Sequence, residues 1–430
     1  MSVLQRKVSR TQLTVLMLTM LALIGALSAC NLGKATEKNT KVEELKKTAV
    51  VYKQDPQGPT GSEVLPEPLK TAKDWEQDFP EIYKTYMANS IQDNNYPGAY
   101  PSRDYTEMYP DIQYIFKGYG YAKDYTVPNG HTSSLETVAG TTRPHPKASC
   151  FACKTPQYMT LEKKYGEAFY KMSFEEIAKE VTEPISCYDC HENTPGEMHI
   201  NRSGFVKALK DYDIKVDPRL QACAQCHNDY YMDPETGQPV HPYEYGVNPD
   251  GMLKHYNEKH VVDFVHPDSG VEVAQVQHPD YEAFHSSPHA QAGLVCADCH
   301  MAKEDGYTSH TWTSPFKSDT IMNNVCLSCH DGETKDSLIT KVNDLQAEID
   351  GVQKEVSAKL VKVHQSIAEK KDGMDADSLA KVRDLVRSAQ FYWCYFFAQN
   401  GDGIHNPQES RDVLKKASDL IEEANSILNK

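Results

Sequence analysis

Five Cys-x-x-Cys motifs contain the residues of this chain that are best suited to chemistry. In four of them the second cysteine is followed directly by histidine, whereas in the first, CFACK, it is followed by Lys154. Thiols at this spacing can form disulfides, bind metal ions or bond covalently to a cofactor. The motifs contain ten of the twelve cysteines: Cys150, Cys153, Cys187, Cys190, Cys223, Cys226, Cys296, Cys299, Cys326 and Cys329.

Three explanations compete for this pattern. Disulfides suit an exported protein, but bridges across two residues close very small loops and gain little stability. Zinc sites would use the motifs in pairs, and five is an odd number. Covalent attachment of haem needs two thiols and a ligand residue directly after them. The sequence therefore predicts five haem c groups, four of them with a motif histidine as ligand: His191, His227, His300 and His330.

Lys154 makes the first motif different from the others. An amine ligates iron only after losing its proton, and the pKa of a free lysine is about 10.4. Removing this proton costs free energy, and a haem that only relays electrons gives no reason to accept that cost. We therefore predict that Lys154 is the proximal ligand of a haem with an open position for substrate. The alternative is that Lys154 faces solvent and a histidine takes its place.

The composition fits a chain that is ordered by large cofactors. Hydrophobic residues make up 39% of the 430 residues, and the mean hydropathy is −0.61. A chain this polar needs more than an apolar core for stability. The formal net charge of −16 argues against nucleic acid or an anionic membrane surface as a partner. A small anionic substrate would need a local positive site.

The N-terminal residues resemble an export signal. Basic residues precede an uncharged apolar run at 11–27, and small residues and Cys30 follow. The ending LSAC resembles a bacterial lipobox, so residues 1–29 are predicted to be a lipoprotein signal peptide and Cys30 the lipidated residue. Residues 30–70 are predicted to be a flexible tether. The alternatives are an uncleaved anchor helix and a plain signal. Each places the body outside the cytoplasm, in the periplasm or lipid-anchored on the outer face of the cytoplasmic membrane.

One Cys-x-x-Cys-Lys motif followed by four Cys-x-x-Cys-His motifs resembles the ammonia-forming cytochrome c nitrite reductases. The resemblance covers roughly residues 75 to 430. It implies six-electron reduction of nitrite to ammonium at the haem of Lys154, fed by four haems that each have two histidine ligands. It also implies a mainly α multihaem cytochrome c fold with little sheet and long C-terminal helices.

Further residues match the family outside the attachment motifs. GHTSSLETVAGTTRP supplies His131, a distal ligand of the third haem, and Arg143, which would hold the substrate oxygens. CAQCHNDYY supplies Tyr230 as the active-site phenol, and QHPDY supplies His278 as the distal catalytic histidine. The other distal ligands implied for the fifth, second and fourth haems are His289, His310 and His405. Four histidines are expected at the surface or behind the ligands: His145, His255, His285 and His364.

The family also has a calcium ion beside the active site, bound by an acidic side chain, two backbone carbonyls and a glutamine side chain. The matching residues are Asp229, Tyr230, Gln275 and Gln277. Two of them depart from the family pattern, since aspartate replaces the commoner glutamate at 229 and Gln275 replaces a lysine. Oxygen ligands suit calcium, and a backbone ligand tolerates a changed side chain. Calcium therefore remains a prediction, although Asp229 has a shorter reach than glutamate.

Two regions must position these residues. Residues 71–335 are predicted to be the pentahaem catalytic region, with short segments between the motifs. Residues 336–430 are predicted to form long helices, including 376–399 and 408–428. The first of them has an apolar seam at steps of four and three: Leu338, Val342, Leu345, Ile349, Val352 and Val356. The resemblance favours a homodimer through these helices, with a membrane-bound tetrahaem quinol dehydrogenase as electron donor.

Two other functions stay open at this stage. A multihaem electron-transfer cytochrome would need a further ligand over the first haem. A related multihaem enzyme could act on hydroxylamine or sulfite with the same residues. Product analysis separates these functions from nitrite reduction.

Overall fold

The computed structural model describes residues 69–90, 105–119, 130–140, 146–191, 198 and 200–430. The predicted signal segment, Cys30, Arg143 and His145 lie outside these residues, as does the predicted tether except for its last two residues. Apart from 292–294, the described part belongs to one compact unit. The region of the motifs and the C-terminal helices are thus parts of the same unit. Among the described residues, no helix combines the length and apolar character that a membrane crossing requires.

Short helices connect and contain the motifs. Their bounds are α1 Pro80–Met87, α2 Tyr105–Met108, α3 Ile112–Ile115, α4 Ser134–Ala139, α5 Tyr158–Tyr165, α6 Phe174–Ile177, α7 Ser203–Asp211, α8 Pro218–Ala224, α9 Pro249–Glu258, α10 Asp280–His285, α11 Pro288–Gln291, α12 Cys296–His300, α13 Asp319–Ile321 and α14 Leu327–Cys329. Tighter 3₁₀ turns lie at Lys73–Trp75, Ala88–Ser90, His131–Ser133, Ala148–Phe151, Gly166–Lys171, Cys187–Asp189, Pro315–Lys317 and Lys371–Gly373, and a π-helical turn at Met322–Cys326.

The strands of the described part form three antiparallel hairpins, and each strand is two residues long. β1 (Tyr231–Met232) pairs antiparallel with β2 (Pro239–Val240), and Tyr231 lies opposite Val240. β3 (Phe264–Val265) pairs in the same way with β4 (Glu272–Val273). β5 (Lys303–Glu304) pairs with β6 (Tyr307–Thr308). The predicted fold class, mainly α with little sheet, is confirmed.

Three long helices end the chain: α15 (Lys335–Lys370), α16 (Ala376–Phe397) and α17 (Pro407–Leu428). Each begins at a polar capping residue that accepts a hydrogen bond from a backbone N–H of the first turn, which stabilises the helix start. Thr334 accepts from Ser337 at 3.1 Å, and Asp375 and Asn406 cap the next two helices in the same way. The long C-terminal helices were predicted, and their bounds differ from the prediction by one or two residues.

The apolar seam predicted on α15 is only partly correct. Ile349 and Val356 are buried, but Val352 is 38% exposed. The buried positions keep the four-three spacing but shift by one residue after Ile349, and Ser357 and His364 beside them widen the buried face; they are Ile349, Gln353, Val356, Ser357, Leu360, Val363, His364 and Ile367. Gln353 therefore occupies the buried position that the seam assigned to Val352. The predicted seam thus had the correct spacing but the wrong register after Ile349, and packing against α16 and α17 buries a wider face than a coiled-coil seam would.

The largest apolar core of the described part lies around the three long helices. It contains α15 to α17 residues such as Leu360, Trp393 and Leu414, together with residues from earlier in the chain such as Ile112 and Met252. Two smaller cores lie among the motifs, one around α7 and α8 and one around α5. The motif region therefore has less apolar packing of its own than the helical end has.

A pair of stacked histidines lies inside the helical end. His364 is fully buried, and its ring stacks on His266 with 4.2 Å between ring centres. The Ser269 hydroxyl donates to His364 Nδ1 at 2.7 Å, and His364 Nε2 donates to Gln390 Oε1 at 2.9 Å. His255 is buried as well, beside Tyr231 and Glu244. Both His364 and His255 are thus interior residues, while half-buried His285 fits the expectation better.

We expect His364 to make the protein sensitive to acid. Burial, followed by the nearby charge of His266, lowers the pKa of His364 to about 3. Above pH 6.5 both the folded and unfolded chains carry a neutral imidazole. As the pH falls from 6.5 towards 3, only the unfolded chain takes up the proton, so the free energy of unfolding falls by up to about 1.4 kcal/mol per pH unit for one proton.

The check is denaturant unfolding of the wild type and of His364→Gln between pH 7.5 and 5. The variant should lose less stability on acidification than the wild type does. His260→Gln is the matched control, because His260 is exposed and its replacement should keep the wild-type slope. An unchanged slope in His364→Gln would show that other groups cause the acid sensitivity.

Candidate functional site

Each attachment motif forms a helical turn. In such a turn, residues i, i+3 and i+4 lie on one face, so the two thiols and the following residue can contact a single ligand. The backbone N–H of His191 donates to Cys187 O at 2.8 Å, and His227 and His330 make the same bond within their motifs. Lys154 differs, since its N–H donates to Phe151 O at 3.0 Å. The first motif therefore ends in a tighter turn.

Among the described residues, no cysteine forms a disulfide. Thiols of different motifs nevertheless come close together. Cys153 lies within hydrogen-bond distance of Cys226. Cys223 is likewise hydrogen-bonded to Cys296. The first, third and fourth motifs are thus neighbours in space, although 146 residues separate Cys150 from Cys296 in the sequence.

Four pairs of histidine rings lie at nearly the same spacing. Each pair combines one motif histidine with one histidine from elsewhere in the chain. The distances between ring centres are 6.2 Å for His131 and His227, 6.2 Å for His191 and His310, 6.3 Å for His289 and His330, and 6.4 Å for His300 and His405. The structure thus brings together every pair that the resemblance implied.

This spacing fits an iron ion between the two rings. A metal–imidazole bond of about 2 Å on each side, plus about 1.1 Å from each ring nitrogen to its ring centre, gives roughly 6 Å. Axial ligation by two histidines is a haem arrangement suited to electron transfer. The donor set of two thiols and two imidazoles at each of these four places therefore fits haem c.

Backbone carbonyls orient two of these imidazoles. His310 Nδ1 donates to Thr308 O at 2.8 Å, and His300 Nδ1 donates to Thr313 O at 3.0 Å. Such bonds fix the tautomer and leave Nε2 free for a metal. His405 Nδ1 lies 3.3 Å from Asp280 Oδ1, which can have the same effect. These contacts could not be predicted from the sequence, because the acceptors are mostly backbone atoms.

His278 and Tyr230 lie beside the third motif. Their ring centres are 5.9 Å apart, and the His278 ring also lies 6.3 Å from His227. Burial lowers the pKa of His278 to about 4 and that of His131 to about 3, and the nearby charge of His227 adds to both effects. Lys154 is half-buried beside this group rather than fully exposed. Burial therefore keeps the His278 imidazole neutral near pH 7.

The residues predicted to bind calcium also come together. Asp229 is fully buried, its Oδ1 accepts from the backbone N–H of Gln277 at 2.8 Å, and its Oδ2 accepts from the Tyr256 hydroxyl at 3.0 Å. The Gln275 side chain instead donates to Cys394 Sγ at 3.0 Å. Burial raises the pKa of Asp229 to about 7.

Sequence reasoning missed a second buried acid at this place. Glu282 Oε1 accepts from the backbone N–H of Asp229 at 2.9 Å, and burial raises the pKa of Glu282 to about 8. Two carboxyl groups in so little water favour a cation between or beside them. Within the described residues, no group of three or more His, Cys, Asp or Glu side chains has the geometry of a metal site. A cation here would therefore depend on backbone and amide oxygens as well.

Comparisons with known proteins agree with these features. A family model described as cytochrome c552 matches residues 71–430. The cytochrome c-552 of Parabacteroides distasonis is 30% identical over 375 residues, which cover 81% of this chain and 74% of that protein. The cytochrome c nitrite reductase subunit NrfA of Nitratidesulfovibrio vulgaris is 28% identical over 400 residues, which cover 81% and 76%.

The fold is also similar to a solved structure. Cytochrome c nitrite reductase from Desulfovibrio desulfuricans superposes with a TM-score of 0.72 at 26% sequence identity, and the match covers 85% of this chain and 87% of that one. Two calcium sites are described in its catalytic subunit. The resemblance that the motifs indicated is confirmed at the level of family and fold. The chain belongs to the cytochrome c552 family, and haem c is its cofactor.

Proposed function

We propose that this protein reduces nitrite to ammonium at a haem c ligated by Lys154, with electrons from four further haem c groups that each have two histidine ligands. The observation that carries the proposal is the set of four histidine pairs at 6.2–6.4 Å. Each pair uses the histidine of a different motif. CFACK alone has no motif histidine, so the haem on Cys150 and Cys153 is the one at which substrate binds.

The residues around Lys154 have separate roles in this proposal. When bound, the haem on the first motif supplies an iron with one open position for substrate. Arg143, which lies outside the described residues, binds the nitrite oxygens through its planar fork of donors. His278 and Tyr230 lie next to each other and deliver protons. Nitrite, six electrons and eight protons give ammonium and two water molecules, so proton donors are needed throughout.

His278 gains its proton together with the substrate. Its Nδ1 is buried and has no hydrogen-bond partner among the described residues, and burial keeps the ring neutral at pH 7. An anion beside a neutral imidazole favours the protonated form. The incoming nitrite therefore raises the pKa of His278, and the proton is in place when the N–O bonds break.

The direct test supplies the purified holoprotein with a reduced dye and nitrite and measures ammonium. We expect one ammonium ion for every six electrons consumed, without released intermediates. A variant with Cys150→Ser and Cys153→Ser should lose ammonium formation, while the dye should still reduce its other haems by one electron each. No ammonium from the wild type would exclude this function.

The alternatives predict other products. An electron carrier would be oxidised by its partner but not by nitrite. An enzyme for hydroxylamine or sulfite would turn these over faster than nitrite under the same conditions. The names of the relatives favour nitrite, since one of them is a nitrite reductase subunit.

Calcium is proposed as a structural ion beside the active site. Asp229, the carbonyls of Tyr230 and Gln275, and the side chain of Gln277 would bind it. The two buried carboxyl groups of Asp229 and Glu282 support this proposal, because a cation would offset their charge. Metal analysis should find calcium in the wild type and less of it in Asp229→Asn. Equal calcium in both proteins would contradict the assignment.

Export, anchoring and assembly are proposed from the sequence. The signal-like N-terminus supports export and a lipid on Cys30, with the body in the periplasm or on the outer face of the cytoplasmic membrane. Val352, exposed on α15, is suited to a homodimer contact between long helices. A membrane-bound tetrahaem quinol dehydrogenase is the proposed donor. Light scattering should give twice the mass of one chain, and membrane release by lipase treatment tests the anchor.

Gly401→Ala should disrupt the His300–His405 pair. A Cβ atom at Gly401 would lie 2.8 Å from Cε1 and Nδ1 of His405, a distance that no real contact tolerates. The His405 ring must therefore shift relative to its present place opposite His300. We expect the loss or a large shift of one low-spin haem signal in the electron paramagnetic resonance (EPR) spectrum.

Gly351→Ala is the matched control for this change. Nothing lies within 4 Å of a Cβ atom at Gly351 in helix α15, and alanine favours helix there. This variant should keep every haem signal and gain slightly in stability. If Gly401→Ala had the same spectrum as Gly351→Ala, His405 would not be a ligand.

A further inference from the structure

Trp312 has a backbone conformation that is unusual for a large residue. Its φ is +44°, in the left-handed region that bulky side chains rarely adopt. Residues held in such conformations cost free energy and persist only where the surrounding structure requires them. Trp312 lies two residues after His310, outside the attachment motifs. The strain therefore points to a role for this residue next to the histidine ligands.

The indole of Trp312 contacts distal histidines of two different haems. Its ring centre lies 4.4 Å from that of His131, at an interplanar angle of 67°. It lies 5.5 Å from that of His310, at 75°. Both contacts are edge-to-face, the arrangement in which aromatic rings attract each other. The indole also packs edge-to-face against Tyr86, with 6.1 Å between the ring centres.

The two histidines differ in how else they are held. His310 Nδ1 donates to Thr308 O at 2.8 Å, so a hydrogen bond already orients its ring. His131 Nδ1 is buried without a hydrogen-bond partner among the described residues. The ring contact with Trp312 therefore restrains the rotation of His131 where a hydrogen bond restrains His310. Orienting groups of this kind tune the metal that the ligand binds.

The left-handed backbone at Trp312 also positions the carbonyl group of the next residue, Thr313. Thr313 O accepts the hydrogen bond of His300 Nδ1 at 3.0 Å. The backbone conformation of Trp312 thus fixes two features at once. Its own indole contacts His131 and His310, and the carbonyl of the following residue orients His300. A residue unable to adopt this conformation would displace one of these two features.

We propose that Trp312 is a positioning residue shared by two haems, and that it sets the ring orientation of His131 and of His310 together. This inference rests on the proposed ligand pairs. Trp312 does not contact substrate and is not a catalytic residue. A change at this position should alter two low-spin haems at once, those ligated by His131 with His227 and by His191 with His310. The pairs of His289 and His405 should be unaffected.

Two substitutions separate the ring from the backbone. Trp312→Phe keeps an aromatic ring, whereas Trp312→Asn removes the ring but tolerates a positive φ. We expect Trp312→Asn to shift two of the four low-spin EPR signals and the reduction potentials of the same two haems. Trp312→Phe should restore most of both values. Because Asn preserves the backbone, the haem of His300 should keep its signal.

Phe284→Leu is the control for loss of one aromatic contact. Phe284 lies 6.5 Å from His405 and contacts only that distal ligand among the pairs described above, so at most the signal of the His300–His405 haem should shift. Unchanged signals in Trp312→Asn, or equal shifts of all four, would overturn the inference while leaving nitrite reduction in place. A wild-type holoprotein without low-spin signals would overturn the proposed function as well.

Discussion

Replacing His278 with asparagine should slow nitrite reduction by about 10²–10⁴-fold, the loss typical of a positioned acid–base group. The ring is buried, its centre lies 5.9 Å from that of Tyr230, and Lys154 is close enough to affect its pKa. Asparagine keeps the polarity but cannot carry the proton that arrives with the nitrite anion. Hydroxylamine is neutral and has one N–O bond fewer to break, so its reduction should be impaired much less.

The comparison of the two substrates under one set of conditions is the measurement. Equal losses for nitrite and hydroxylamine would contradict a role in anion binding and N–O cleavage. His285→Asn is a matched control, because His285 is half-buried seven residues further along the chain and has no place in the proposed site. It should keep both activities.

The same variant tests whether His278, which lies next to His227, ligates the third haem. Their ring centres are 6.3 Å apart, the spacing also found in the proposed ligand pairs. If His278 rather than His131 ligated the third haem, His278→Asn would remove a low-spin EPR signal. We expect all four low-spin signals to persist.

Replacing Asp189 with asparagine should lower the free energy of unfolding by about 3–5 kcal/mol, since it leaves a buried cation without its partner. Asp189 Oδ1 lies 2.5 Å from Arg202 Nη2, and the two side chains are only 4% and 5% exposed. Arg202 also donates to Thr155 O, at 3.4 Å. Gln225 Nε2 donates to Asp189 O at 3.0 Å.

This network explains why the effect should be large. Asp189 belongs to the second motif, Gln225 to the third, and Thr155 directly follows the first. The buried pair therefore lies where three motifs meet, and loss of the carboxylate leaves Arg202 unpaired at their junction. Denaturant unfolding of the holoprotein measures the effect.

An exposed ion pair provides the reference. Arg411 and Glu348 make two hydrogen bonds of 2.8 Å at the surface, and such pairs contribute roughly 0–1 kcal/mol. Glu348→Gln should therefore change stability little. A similarly small loss in Asp189→Asn would mean that Arg202 finds another partner or reaches water.

The sequence was sufficient to predict the haem motifs, the family and the distal histidines that lie close to motifs. His289 and His310 are tied to the neighbouring CADCH by short spacing. The pairing of His131 with His227 could only be predicted through the resemblance, because 96 residues separate them. Periodicity predicted the long helices, but it placed Val352 in a seam where the structure buries Gln353.

Other residues gave no signal in the sequence. Arg202, Glu282 and Trp312 stand in no recognisable motif, and each is defined by its partners in space. Burial, which decides the cost of an unpaired charge and the pKa of His278, depends on the whole fold. A single sequence without its tertiary contacts cannot supply these quantities.

The apolar core around α15, α16 and α17 has a consequence for the order of events during biosynthesis. Most of its members belong to helices at the end of the chain, while Ile112 and Met252 come from earlier segments. A polypeptide made from its N-terminus cannot close this core until those last helices have been synthesised. All five motifs precede them, so their thiols stay accessible to the attachment machinery before the final collapse. The position of the helices in the gene thus favours cofactor insertion first and compaction second.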